Sequence, residues 1–221
     1  MEIQLSSSLK AEIPDFKIGV IHYNNIEVSD SPQMVKGRLR LFQESLYFDL
    51  VDKPLTEFAG ISEWRQIFKK VGTDPNRYRP SVEALYRRIK KQNYIDTIHS
   101  AADINNFFSL QYQVPIGVYD MEKIKGAIQI RVGTEDDTYT GINGREINMM
   151  NKILSSDELG PFGSPYVDSE RSAVTLQAKN AIQLVYLQPS MKTEQAKKLV
   201  HSLKDMFIQI HGGTATDSII D

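Results

Sequence analysis

At 221 residues, with 41% hydrophobic and 24% charged residues, the chain has the composition of an ordinary globular protein with one sizeable core. Cysteine is absent, which excludes a disulfide framework and thiolate chemistry, and no run approaches the roughly 18 apolar residues of a membrane span. The net charge of −2 argues against a protein that coats nucleic acid, yet nine basic residues against two acidic ones between Arg65 and Lys91 give that segment +7 and leave −9 for the rest.

The opening Met1-Glu2-Ile3-Gln4 has neither the basic start nor the apolar run of a secretory signal, so a cytoplasmic protein is expected. Lys17–Tyr23, rich in β-branched residues and closed by Asn24-Asn25, predicts a strand. After Ser31-Pro32, the spacing of Val35, Leu39, Phe42 and Leu46 predicts a helix. A second helix is predicted from about Thr56 to Lys70, with Ile61, Trp64, Ile67 and Phe68 toward the core and Gly72 as its stop. Residues 72–81 hold so many turn formers that they predict a loop. Ser81 is placed to cap the next helix, whose buried stripe is Val82, Leu85, Tyr86 and Ile89. That leaves Glu83, Arg87, Lys90 and Lys91 on the polar face, with Glu83 and Arg87 four apart and able to pair.

Farther on, Ala127–Val132 and Ala181–Leu187 predict strands, the second more buried than the first. Asn143-Gly144 and the run Gly160–Pro165 predict loops. Ala196, Leu199, Val200, Leu203, Met206, Phe207 and Ile210 form one stripe of a long carboxy-terminal helix from Thr193 to about His211. Beyond Gly212-Gly213 a frayed polar tail is expected. There is no regular alternation of strand and helix, no internal repeat and no linker. The pattern predicts a single α+β domain over residues 1–221, a β-sheet with flanking helices.

Chemical signatures are scarce. The nucleophile elbow, the phosphate-binding loop, the dinucleotide fingerprint and the helical zinc motif are all missing, so neither a cofactor nor a metal is expected. His22, His99, His201 and His211 stand alone, without partners at helical metal-binding spacing. The informative stretch is Asp103–Leu110 (DINNFFSL) followed by Val114–Asp120 (VPIGVYD). Asp, Asn and Ser amid apolar residues imply either a supporting hydrogen-bond network or the wall of a pocket.

Three motifs then carry a resemblance: R-x-R-P-S-V-E-A-L-x-R-R from Arg77 to Arg88, D-I-N-N-F-F-S-L with V-P-I-G-V-Y-D, and D-S-E-R from Asp168 to Arg171 before a strand. In this order, over roughly Trp64 to Leu187, the chain resembles the editing domain in the beta subunit of bacterial phenylalanyl-tRNA synthetase, as a stand-alone relative. The resemblance implies an α+β fold and a pocket that hydrolyses the ester of a mischarged aminoacyl-tRNA. Asn106, Ser109, Pro115, Gly117 and Asp120 would line that pocket, with Glu170 beside it, while Arg79, Arg87 and Arg88 would hold phosphate or the carboxyl region of an RNA-borne substrate. Arg79 stands just before a helix, where phosphate can approach the N-terminus. Arg87 and Arg88 can equally be a solvated face, and Glu170 with Arg171 a structural ion pair. Two departures are visible: Gly117 replaces a pocket histidine of the synthetase, and Leu184 stands where a glutamate reads the tyrosine hydroxyl, so the equipment for recognising tyrosine is missing.

Three functions follow. The first is a trans-acting deacylase of mischarged aminoacyl-tRNA, working with a positioned water and backbone donors, so that no side chain is assigned as catalytic. The second is a non-catalytic module that binds an amino acid, an aminoacyl-adenylate or a tRNA acceptor end. The third is a structural or regulatory protein with a vestigial pocket.

Overall fold

The computed structural model describes residues 1–221. Its strands are β1 (Ile3–Leu5), β2 (Ile18–Asn24), β3 (Ile116–Asp120), β4 (Ile128–Val132), β5 (Thr138–Thr140), β6 (Glu146–Asn148), β7 (Ile153–Asp157), β8 (Gly160–Gly163), β9 (Ala181–Tyr186) and β10 (Thr214–Ile220). The helices are α1 (Ser7–Glu12), α2 (Gln33–Leu50), α3 (Ala59–Lys70), α4 (Ser81–Lys90), α5 (Ser100–Tyr112) and α6 (Thr193–His211).

A central antiparallel sheet runs in the order β10-β2-β9-β3. A second sheet, β1-β4-β7-β8, packs on one of its faces, and β5 and β6 form a separate ribbon. Alternation along the strands divides the core. Ile21, Tyr23, Ala181 and Val185 point into a cluster shared with α2, α4, α5 and α6. Ile18, Val20, Ile182, Leu184 and Tyr186 point the other way, onto Trp64 and Phe68 of α3 and onto Ile128, Ile153 and Phe162 of the second sheet. Strand β9 is therefore covered on both faces, which is why AIQLVY is nearly continuously apolar. Trp64 is the core residue its spacing implies. On α6, Ala196, Leu199, Val200, Leu203, Met206 and Phe207 are buried, each large side chain contributing about 2 kcal/mol.

Five local expectations change. The segment from Thr56 is a short 3-10 turn (Leu55–Glu57), and extended backbone at Phe58 delays α3 to Ala59. Ser81 does not cap α4: Pro80 occupies the cap position without a side-chain bond, and the Ser81 amide donates to the Pro165 carbonyl at 2.8 Å. Glu83 is not on a polar face but fully buried, held by Arg65 at 3.0 Å and Arg87 at 2.9 Å, while Leu85 is only half-buried. Gly160–Gly163 is a strand rather than a loop, because the turn at Glu158-Leu159 folds it back on β7. The tail does not fray: all seven residues of β10 pair antiparallel with β2.

Candidate functional site

The polar stretch of the sequence lies on α5, which ends at Gln113 in the left-handed region (φ 57°) and turns directly into β3. This turn lays α5 along its own strand. Asn105 donates to the Ile116 carbonyl at 2.7 Å and accepts from Gln183 at 3.2 Å, and Gln183 in turn accepts from the Tyr23 hydroxyl at 2.6 Å. The Ser109 hydroxyl donates to the Val114 carbonyl at 2.6 Å. Asp103 accepts from the Ile98 amide and the Ser31 hydroxyl. Asp120 accepts from the Glu122 amide at 3.1 Å, opening the 3-10 turn Met121–Lys123. Asn105, Gln183 and Ser109 bond one another or the backbone between α5, β3 and β9, while Asp103 and Asp120 each hold a neighbouring loop, so these buried polar groups have their partners within the fold. Asn106 is half-buried and stands outside these bonds, whereas its neighbour Asn105 is among them; one residue on a helix turns the side chain by about 100°. Pro115 is buried beside these groups. His99 caps α5, its Nδ1 accepting from the Ala102 amide at 3.2 Å.

Gly117 and Tyr119 point to the same side of β3, toward the second sheet. The Tyr119 ring lies across both Gly117 and Gly163, so that a Cβ at either glycine would run into it. The ring meets Phe162 edge-on at 5.0 Å, and its hydroxyl donates to Asp168 at 2.7 Å. Asp168 also accepts from the Ser164 amide at 3.2 Å. Burial of the carboxyl pushes its pKa up to about 6, against the lowering effect of those two hydrogen bonds. Leu184, from the neighbouring strand, is fully buried in the same layer. Gly117 therefore makes room for Tyr119, and no open space remains over it. Tyr119 and Asp168 are the residues that reading by type passed over. Their signal was present: a glycine two positions before a tyrosine on one strand face, and an isolated aspartate opening the D-S-E-R run.

Glu170 sits elsewhere. It is exposed at the start of the 3-10 turn Glu170–Ser172 and lines a cleft of about 570 Å³ with Thr138, Tyr139, Thr140, Pro161 and Ser169. None of Asn106, Ser109, Pro115, Gly117 or Asp120 lines that cleft. Glu170 does not pair with Arg171. The Arg171 guanidinium instead grips Asp157 through two bonds of 2.9 and 3.1 Å and donates to the Lys123 carbonyl, because the β7–β8 turn brings Asp157 closer. Behind the cleft wall the Tyr139 hydroxyl bonds Ser164 at 3.0 Å.

The basic residues stand apart from that cleft, and none of Arg79, Arg87 or Arg88 lines it. Arg87 and Arg88 are exposed on α4, Arg87 bonded to Glu83 and Arg88 to the Tyr94 carbonyl at 3.3 Å. Arg79 is partly buried in the preceding loop, its Nε sealed from solvent without a partner.

Comparison with known proteins agrees with the motifs. The B3/4 domain family matches residues 63–206. The Bacillus subtilis (strain 168) protein YhzB, uncharacterized, is 35% identical over 98% of both chains. The phenylalanine–tRNA ligase beta subunit of Bartonella quintana is 25% identical over 135 residues, 56% of this chain but 16% of that subunit. A crystal structure of an N-terminal fragment of the phenylalanyl-tRNA synthetase beta subunit from Pyrococcus horikoshii aligns with all of this chain and 54% of its own, at 14% identity and a TM-score of 0.48. No helix of the chain is long and apolar enough to cross a membrane.

Proposed function

Because the chain belongs to the B3/4 domain family, as a module related to the synthetase beta subunit, we propose that it binds the acceptor end of a tRNA without hydrolysing the ester it carries. The observation that carries this reading is the packing over Gly117. Tyr119 fills that space from within, Leu184 lies in the core, and Asn105, Ser109 and Asp120 have their polar atoms taken by the fold. A pocket closed in this way offers no room for a reacting ester and water. The exposed arginines of α4 and Arg79 supply the cationic surface that an RNA backbone requires.

A deacylase remains the second reading, favoured by one observation: Glu170 is free and faces a cleft rimmed by Thr138, Thr140 and Ser169, a setting in which a carboxylate can position water. One experiment separates the two. The purified protein is mixed with a panel of correctly and incorrectly charged aminoacyl-tRNAs, and both binding and release of amino acid are followed. The expected result is salt-sensitive binding with no protein-dependent release. Release that is lost in Glu170→Gln would replace the binding reading with the deacylase, and the absence of binding to any tRNA would sink both.

A further inference from the structure

We propose that Lys152, together with Arg77 across the ring of Tyr78, forms a binding site for a single phosphoryl group, which within the proposed function is a backbone phosphate of the RNA. The loop between α3 and α4 is held at both ends. Thr73 donates to the Asn151 carbonyl at 2.5 Å, and the Ser81 amide to the Pro165 carbonyl. Tyr78 meets Tyr166 edge-on at 5.6 Å between these anchors. On the ring of Tyr78 lie two cations, with the Lys152 ammonium 3.9 Å from its centre and the Arg77 guanidinium 5.1 Å away.

Lys152 is the unusual member. Only 6% exposed, it donates to a single acceptor, the Met150 carbonyl, at a long 3.3 Å. No carboxylate pairs with Lys152, with Arg77 or with Arg79, although acidic residues outnumber basic ones in the chain. Burial and the nearby Arg77 both push the Lys152 pKa down, as expected of two like charges held together without a counterion. The Tyr78 face offsets part of that cost, as cation–π contacts do, but it leaves N–H donors of Lys152 without acceptors. Two residues after Arg77, the Nε of Arg79 is likewise sealed and unpaired. A buried ammonium with unused donors beside an exposed guanidinium of the same sign is complementary to a phosphate, which accepts several charge-assisted hydrogen bonds at once and can arrive from the Arg77 side. Tyr166 also packs against the small cluster of Tyr139, Ile147, Met149 and Leu154 whose Tyr139 lines the Glu170 cleft, so the site and that cleft share one lobe.

The test uses the full chain with two probes, an unacylated tRNA followed by fluorescence anisotropy and inorganic phosphate followed by thermal shift in chloride buffer. The variants are Lys152→Met, Arg77→Gln and, as a control of equal charge change, Lys198→Gln on α6. Arg77→Gln keeps the test valid should the buried Lys152 variant fail to fold. The site predicts about tenfold weaker tRNA binding in each loop variant, with a salt slope reduced by about one, and less than a twofold change in the control. Wild-type affinity and slope in both variants would overturn the site and leave the proposed function standing. If wild-type protein binds no tRNA while phosphate stabilises it but not the variants, the site survives as one for a free phosphoryl group and the RNA-binding reading falls. No response to either probe would overturn the site.

Discussion

Asp168 shows how one side chain is set by its surroundings. Its carboxyl is drawn inward onto the Tyr119 hydroxyl, and burial raises its pKa to about 6 despite the two hydrogen bonds it accepts. Because the folded value lies above the unfolded one of 3.8, this group works against stability as the pH rises from about 4 to 6. Replacing Tyr119 by Phe removes a hydrogen bond that holds the value down. The Asp168 titration, followed through its carboxyl NMR shift, is expected to move above about 6, and stability to fall by about 1 kcal/mol. A midpoint that stays in place would mean that the hydroxyl does not reach the carboxylate in solution. The same residue scale explains Asn105 and Asn106: adjacent, identical in type, and distinguished only by the phase of α5.

At the scale of elements, the junction of α3 and α4 depends on a buried ion. Glu83 is fully buried, and Arg65 from α3 reaches both its carboxylate oxygens at 3.0 Å while also bonding Pro75 and Asn76 of the intervening loop. Arg87 from the same helix is nearly half exposed and is the weaker partner. Removing Arg65 as Ala strands most of that buried charge, and urea unfolding is expected to show a loss of about 3 kcal/mol. Because the same guanidinium pins the loop that carries Arg77, Tyr78 and Arg79, any tRNA affinity is expected to weaken in this variant as well. A loss below about 1 kcal/mol would show that Arg87 alone neutralises Glu83.

Across the whole molecule, three histidines tie the fold to acidity. Burial lowers the pKa of His22, His99 and His211, with Asp103 opposing the shift at His99. The Nδ1 of His211 faces the Phe207 carbonyl, which can only accept, so Nδ1 carries the proton and Nε2 accepts from the Ser100 hydroxyl, each at 2.8 Å. Ser100 in turn accepts from the Ser29 amide, linking α6, α5 and the chain before α2. A depressed folded pKa means that the unfolded chain takes up protons first. The stability from the neutral rings is complete above about 6.5 and is lost as pH falls through the folded values. Chemical denaturation is therefore expected to give lower stability at pH 5 than at pH 7.5, with a smaller gap in His211→Asn. An equal gap in that variant would assign the effect to other groups.

What the sequence determined by itself was whatever depends on spacing along the chain. The stripe of α6, the apolar run of β9 and the α+β order follow from periodicity and local turn chemistry, and the family followed from three motifs in a fixed order. The tertiary structure decided what depends on partners far apart in sequence. Residues 214–220 carry too few apolar side chains to read as a strand, and become one only because β2 offers a free edge. Glu83 looks solvated until Arg65, 18 residues away, neutralises it. Gly117 by itself says nothing of what faces it, and only the packed sheets show Tyr119 lying across it, since neither burial nor the direction of a ring is encoded in residue type alone.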